Sequence, residues 1–109
     1  MNFDIQTTPD FQKSLKRLVK KYPSLKEEYS LLIDKLEKEP ETGIPLGKNC
    51  FKIRISIASK GKGKSGGGRV ITFIQVMQSK VTLLEIFDKS EMENISEAQL
   101  NALLINVPK

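Results

Sequence analysis

The hydrophobic pattern of the chain changes its period near residue 50. Before that point apolar side chains recur at helical spacing, in one stripe over residues 11–22 and in a second over residues 25–36. Over residues 51–57 they alternate with charged or small side chains, which is the period of a strand with one buried face. The opening NFDIQTT and the later runs RVITFIQVM and VTLLEIF also have strand character. This order, β-α-α-β-β-β-α, predicts an α+β fold in which a helical hairpin packs on a mainly antiparallel four-stranded sheet.

Residues typical of helix ends define the two helices of the hairpin. Pro9 suits the first turn of helix one, and Pro23 ends its apolar stripe. Ser24 and Glu27 have the spacing of a capping box, which starts a second helix that runs to about Lys38. The hairpin should therefore have a very short connection and one shared apolar stripe that needs a sheet to cover it.

The remaining connections are predicted from turn residues. Residues 40–49 contain two prolines and two glycines and are predicted to form a connecting loop. A tight turn is expected around Gln78 and Ser79. Ser96 and Gln99 form a second capping-box pattern, which opens a short C-terminal helix. Residues 1–109 are predicted to form a single domain, because a chain of this length usually has one hydrophobic core.

Several classes of protein are excluded by composition. No run of 18 apolar residues is present, and the N-terminus has no signal-peptide pattern, so we expect a cytoplasmic protein without a membrane segment. The chain has no histidine and one cysteine, Cys50, and so neither an internal disulfide nor a common zinc site is expected. Cys50 is predicted to be a small core residue beside a strand. No metal or cofactor is predicted.

Positive charge is concentrated in the middle of the chain. The segment from Thr42 to Leu84 contains eight lysines and arginines and no acidic residue, so it carries +8 and leaves −3 for the rest of the +5 chain. A field of this kind favours a polyanion, most commonly a nucleic acid backbone, although a solvated basic surface has the same composition.

The glycine-rich stretch ASKGKGKSGGG, residues 58–68, has the spacing A-x-x-x-x-G-K-S of a loose phosphate-binding loop. Such a loop must open a helix whose N–H groups converge on the phosphates. Here three glycines and a β-branched, strand-like run follow the Lys-Ser pair instead. The sequence therefore argues against a nucleotide cofactor and predicts a lysine-bearing loop between two strands.

Two segments, KIRISIASKGKGKSGGGRVITF and IFDKSEMENIS, together with the order of the elements, resemble the RelE/ParE superfamily of type II toxin–antitoxin toxins, closest to its RelE and HigB-like branch. The resemblance extends from Phe3 to about Leu104. It implies a toxin that enters the ribosomal A site and cleaves mRNA without a metal, by attack of a ribose 2′-hydroxyl on the adjacent phosphate. It also implies a cognate antitoxin, expected to be acidic because it must cover a cationic surface.

The resemblance also implies roles for individual residues. Arg69 matches a recurrent arginine and is expected to be an exposed clamp on the scissile phosphate, while Lys52 and Arg54 match a basic pair on the neighbouring strand. Because nearby cations favour the neutral form of an amine, Lys52 is the candidate base. The remaining candidates are Lys89 and Glu91 for catalysis, with Glu91 as the proton-transfer carboxylate, and Ser90, Phe87, Lys60, Lys62 and Lys64 for RNA binding.

Other interpretations of these residues stay open. Relatives often have tyrosine where this chain has Phe73, Phe87 and Ile95, which leaves the general acid unassigned. Phe87 can stack on a base but cannot donate a proton. Lys89 and Glu91 are equally suited to a local ion pair or a helix cap, and Phe73 to the core. A gyrase inhibitor of the ParE type and a non-catalytic module that binds RNA or antitoxin remain alternatives to the endonuclease.

Overall fold

The computed structural model describes residues 2–60, 67–92 and 94–108 and has the predicted α+β architecture. The alternating and helical patterns each produced the expected type of element. Two short 3-10 turns, Ala58–Lys60 and Val76–Gln78, accompany the regular elements. The helices and strands are β1 (Asp4–Thr7), α1 (Pro9–Lys21), α2 (Leu25–Lys38), β2 (Ile44–Gly47), β3 (Cys50–Ile55), β4 (Gly68–Gln75), β5 (Lys80–Asp88) and α3 (Glu97–Leu104).

The sheet has five described strands in the order β1-β5-β4-β3-β2, one more than predicted. β1 pairs with β5 in parallel, and the other neighbours are antiparallel. The additional strand, β2, lies within residues 40–49, so the prediction of a simple loop there was wrong. Pro45 is tolerated because β2 is an edge strand. Lys48 and Asn49 both have positive φ, 56° and 62°, as a two-residue hairpin turn requires.

The three predicted helix starts were confirmed, with α1 beginning at Pro9, α2 at Leu25 and α3 at Glu97. Thr8 caps α1 by accepting a hydrogen bond from Phe11 N at 3.1 Å, and Ser96 forms the expected capping box with Gln99. The capping box at Ser24 was wrong. Its backbone is helical (φ −66°, ψ −19°) rather than extended, and its hydroxyl bonds to the side chains of Glu28 and Ser59 instead.

The helical hairpin covers one face of the sheet, as predicted. α1 contributes Phe11 and Leu18 to this core, and both side chains are fully buried. Burial of this apolar surface is the main contribution to the stability of the pair of helices, since neither is long enough to be stable alone. The other buried members of this cluster are Leu25, Leu32, Leu36, Ile53, Ile55, Ile57, Val70, Ile74, Val81, Leu83 and Ile86.

The C-terminal helix packs on the opposite face of the sheet. Leu100 of α3 is buried there against Ile71, Leu84 and Phe87. Cys50 is buried in the same cluster, as predicted, and burial raises the pKa of its thiol to about 11, which makes it unreactive at neutral pH. The central strands are thus covered on both faces. Within the described ranges, no helix is long and apolar enough to cross a membrane.

Candidate functional site

The sheet register brings three of the predicted site residues together. Arg54 of β3 pairs directly with Arg69 of β4, and Lys52 lies two residues before Arg54 on the same face. Side chains that are directly opposite in adjacent strands have their Cβ atoms about 5 Å apart. Ile71, the partner of Lys52, packs in the α3 cluster, so these side chains lie on the face that α3 covers in part. We refer to Lys52, Arg54 and Arg69 as the basic face.

Arg69 is buried rather than exposed, which corrects the expectation from the sequence. Only 4% of the residue is accessible, and its Nη1 donates a hydrogen bond to the carbonyl oxygen of Gly68 at 3.0 Å. β4 is the middle strand of the sheet, and Arg69 is flanked on its two sides by Arg54 and Phe87. The guanidinium is therefore held firmly, with the exposed Arg54 next to it.

Lys52 contacts the segment that leads into α3. Its Nζ donates a hydrogen bond to Asn94 Oδ1 at 2.7 Å, and the residue is half-buried. Lys48, from the turn before β3, makes similar contacts with Asn101 Oδ1 and Glu97 Oε2 of α3 itself. Lysines of the β2–β3 hairpin thus tie the C-terminal segment to the sheet on both sides of the α3 N-terminus.

A buried ionic cluster lies at the end of β5. The carboxylate of Asp88 is fully buried and accepts hydrogen bonds from Lys60 Nζ (2.5 Å), Tyr22 Oη (2.6 Å) and the Ser90 amide (2.9 Å). Lys60 Nζ also donates to the carbonyl oxygen of Gly67 at 3.1 Å. We refer to Asp88, Lys60, Tyr22 and Gly67 as the anchor cluster.

The anchor cluster keeps Asp88 ionised. Burial opposes ionisation of its carboxyl group, but the hydrogen bonds from Lys60, Tyr22 and Ser90 outweigh that effect and lower its pKa well below the usual range. Asp88 and Lys60 therefore form a buried ion pair.

The predicted role of Lys60 in binding RNA is not supported by its position. Its side chain is only 8% exposed, because it is directed inward to Asp88 and lies 5.9 Å from the centre of the Tyr22 ring. No local pattern indicates this contact, since Asp88 is 28 residues away. Lys62 and Lys64, the other two lysines predicted to bind RNA backbone, lie outside the described residues.

The three predicted site residues that follow β5, Lys89, Ser90 and Glu91, do not all lie on the same side of the sheet. The Lys89 amide bonds to Gly67 O at 3.1 Å, which places Lys89 beside the start of β4. Ser90 is exposed, and its amide closes the turn on Asp88. Glu91 forms a two-pronged ion pair with Arg17 of α1, both contacts at 3.3 Å. The carboxylate is thus directed toward the helical hairpin, on the other side of the sheet from the basic face.

Phe87 is 4% exposed and packs in the same buried cluster as Leu100 of α3. This burial corrects the expectation that its ring is open for stacking on an RNA base. Phe87 pairs with Arg69 in the sheet. Phe73 and Ile95 are partly buried against the same cluster.

Glu85 is a carboxylate near the basic face that is not among the predicted site residues. It pairs with Ile71 and lies two residues before Phe87 on β5, so alternation along that strand would have placed it near the basic face. Glu85 lines a cavity of about 210 Å³ under α3, and its Oε1 accepts a bond from the Ile86 amide. Among the residues that the structure describes, no three His, Cys, Asp or Glu side chains are grouped as metal ligands.

Comparison with known proteins agrees with this architecture. The E. coli toxin RelE, as an arginine-to-alanine double mutant in the free state, is similar with a TM-score of 0.58 and 17% identity, over 85% of this chain and 90% of that one. The toxin–antitoxin complex RelBE2 from Mycobacterium tuberculosis is similar with the same TM-score and identity, over 81% of this chain and 99% of the matched chain. At this identity the two structures support the fold alone.

The family follows from the sequence itself. The family model for the RelE toxin of the RelE/RelB toxin–antitoxin system matches residues 11–106, which is most of the chain and includes both α3 and the basic face. The resemblance read from the glycine-rich hairpin and the segment after β5 is thereby confirmed. The chain belongs to the RelE toxin family of RelE/RelB toxin–antitoxin systems.

Proposed function

We propose that this toxin is a metal-independent endoribonuclease that cleaves mRNA in the ribosomal A site. The observation that carries the proposal is the basic face, in which Lys52, Arg54 and Arg69 come from two adjacent strands and lie on one side of the sheet. Cations placed this close together attract a phosphate and stabilise the additional negative charge that develops during its cleavage.

The proposed reaction is an internal transesterification. The ribose 2′-oxygen forms a bond to phosphorus, the bond from phosphorus to the 5′-oxygen breaks, and the products are a 2′,3′-cyclic phosphate and a 5′-hydroxyl. One group must accept the 2′-hydroxyl proton, and another must donate a proton to the departing 5′-oxygen. The chain has no histidine and Glu91 is paired with Arg17, so we assign both steps to lysines.

The position of each basic residue suits a different part of this reaction. Arg54 is exposed and meets the RNA backbone first, while the buried Arg69 holds the phosphorane in a fixed geometry once the substrate reaches it. Lys52 accepts the 2′-hydroxyl proton. Lys89, held beside the start of β4 by its bond to Gly67, supplies the proton to the 5′-oxygen.

An antitoxin is proposed as the second partner, because RelBE2 is a toxin–antitoxin complex and this chain has the same fold. Its surface should be acidic where it covers Lys52 and Arg54, since complementary charge steers such complexes together. An antitoxin that is neutral or basic in its toxin-binding region would contradict this.

Cleavage is tested with toxin made by cell-free synthesis and added to purified ribosomes programmed with a defined mRNA. We expect cuts inside the codon in the A site, with 5′-hydroxyl and 2′,3′-cyclic phosphate ends. The activity should persist when a chelator lowers free divalent metal to the minimum that keeps the ribosome intact. Naked mRNA serves as the control for ribosome dependence. Intact mRNA together with inhibited DNA supercoiling would instead indicate a gyrase inhibitor, and intact mRNA without that inhibition a non-catalytic module.

The contact between Lys52 and Asn94 gives a test of the proposed base. Asn94→Asp should lower the cleavage rate about tenfold, because a carboxylate in place of the amide oxygen, which lies 2.7 Å from Lys52 Nζ, forms a stronger, charge-assisted bond that competes with the 2′-hydroxyl for Lys52. Asn101→Asp is the matched control, since Asn101 makes the same kind of contact with Lys48 outside the basic face. Equal rates for the two variants would remove Lys52 from the role of base.

A further inference from the structure

The anchor cluster joins four segments that are far apart in the sequence. Tyr22 comes from the end of α1, Lys60 from the 3-10 turn after β3, Gly67 from the residue before β4, and Asp88 from the last position of β5. Asp88 also pairs with Gly68 in the sheet. The cluster therefore lies where the proposed catalytic strands end.

Gly67 is the point at which the cluster contacts a proposed catalytic residue. Its carbonyl oxygen accepts one hydrogen bond from Lys60 Nζ and a second from the Lys89 amide, both at 3.1 Å. The Asp88 carboxylate holds the neighbouring Ser90 amide, and the Asp88 carbonyl accepts bonds from the amides of Glu91 and Met92. Backbone donors and acceptors on both sides of Lys89 are thus restrained through Asp88.

A role in stability alone does not account well for this arrangement. Taking a lysine and an aspartate out of water is costly, and replacing such a pair by apolar side chains of similar volume is often neutral or stabilising. Apolar side chains cannot supply directional hydrogen bonds, whereas the described hydrogen bonds of the Asp88 carboxylate come from Lys60, Tyr22 and the Ser90 amide, which belong to three different segments.

We propose that the anchor cluster is a positioning device for Lys89, in which the Asp88–Lys60 pair and Tyr22 fix the chain after β5 against Gly67 and so hold the backbone of Lys89 two residues from Phe87, the partner of Arg69 in the sheet. The inference rests on the proposed ribonuclease function and adds three residues, Asp88, Lys60 and Tyr22, to it. None of the three touches the substrate. Their effect on the reaction passes through the backbone of Lys89.

Two readouts test the proposal in Asp88→Asn, which keeps the shape of the side chain and removes its charge. The first is amide hydrogen exchange at Lys89 and Ser90, which needs neither ribosome nor RNA and should become at least about tenfold faster. The second is the single-turnover cleavage rate at saturating ribosomes, which should fall about tenfold to 100-fold, while the half-saturating ribosome concentration changes less than about twofold.

Control variants separate positioning from general destabilisation. Thr8→Ala removes a buried cap at the opposite end of α1 and should lower the melting temperature without changing the rate of folded protein. Lys60→Arg, which retains the charge, should keep more of the rate than Lys60→Met. If Asp88→Asn does not fold, Tyr22→Phe replaces it, because this variant removes only the hydroxyl bonded to Asp88. The same two readouts are then measured, and smaller changes in amide exchange and cleavage rate are expected.

The outcomes distinguish this proposal from the proposed function. Unchanged exchange at Lys89 and Ser90 in folded Asp88→Asn overturns the positioning role, whatever the activity. Faster exchange with an unchanged cleavage rate also overturns it, because Lys89 would then act without being held. Absence of cleavage by the unmodified chain overturns the ribonuclease function and with it the catalytic part of the inference, leaving the exchange result to decide the structural part.

Discussion

Arg69→Ala is expected to lower the rate of mRNA cleavage by about 100- to 1,000-fold, the loss typical of removing one preorganised donor from a developing oxyanion. Arg69 lies on the central strand, and its Nη1 is held by Gly68 O, so its guanidinium needs little reorganisation when the phosphorane forms. The measurement is the single-turnover rate on programmed ribosomes, with growth arrest in cells as a second readout.

The burial of Arg69 requires a control for folding. Truncation of a buried side chain leaves a cavity and removes its bond to Gly68, so the melting temperature of each variant must be measured beside its rate. Arg69→Lys keeps the charge and should lose less activity, because lysine lacks only the planar, multiple donors. Lys35→Ala, at an exposed position of α2, should cleave at the unmodified rate. Folded Arg69→Ala that cleaves within threefold of the unmodified chain would exclude the phosphate clamp.

Gly67→Ala is expected to destabilise the fold by about 3 kcal/mol, because it combines a left-handed backbone with a steric overlap. The φ angle is +36°, and a Cβ would lie 2.5 Å from the carbonyl oxygen of Ile55 and 2.8 Å from the Ile57 amide nitrogen. Both obstacles are backbone atoms in and just after β3, which cannot move without disturbing the sheet. Thermal and urea unfolding should each show the loss.

Gly47→Ala is the matched control for Gly67. Gly47 also has positive φ, +87°, but a Cβ there meets nothing within 4 Å. The expected cost is only about 1–2 kcal/mol, from the backbone conformation alone. Equal losses for the two variants would show that the space around Gly67 adapts, and would weaken the case that its carbonyl oxygen is a fixed acceptor for Lys89.

Most of the fold was predictable because its signals are local. The helix starts at Thr8 and Ser96 depend on residues three positions away, and the strands depend on alternation within a single run. β2 was missed because a four-residue edge strand that contains Pro45 has almost no local signal. Ser24 was misjudged because a partner 35 residues away, Ser59, competes for its hydroxyl.

The candidate site was predictable only in part, for a related reason. Lys52 and Arg54 share a face by simple alternation, and the register with Arg69 follows from the antiparallel hairpin. Burial is different, because it depends on what packs above each residue. Arg69 and Phe87 became buried because they lie on the middle strands beside the α3 cluster.

The sequence by itself determined the family and the type of every helix and strand except β2, since periodicity, caps and motif spacing are properties of neighbouring residues. Only the tertiary structure decided which cations are available. It turned Lys60 inward to Asp88, directed Glu91 to Arg17 and placed Asn94 against Lys52. Each of these pairs joins residues that are at least 28 positions apart, and a contact between charges at that separation depends on how the sheet and helices assemble rather than on any pattern along the chain.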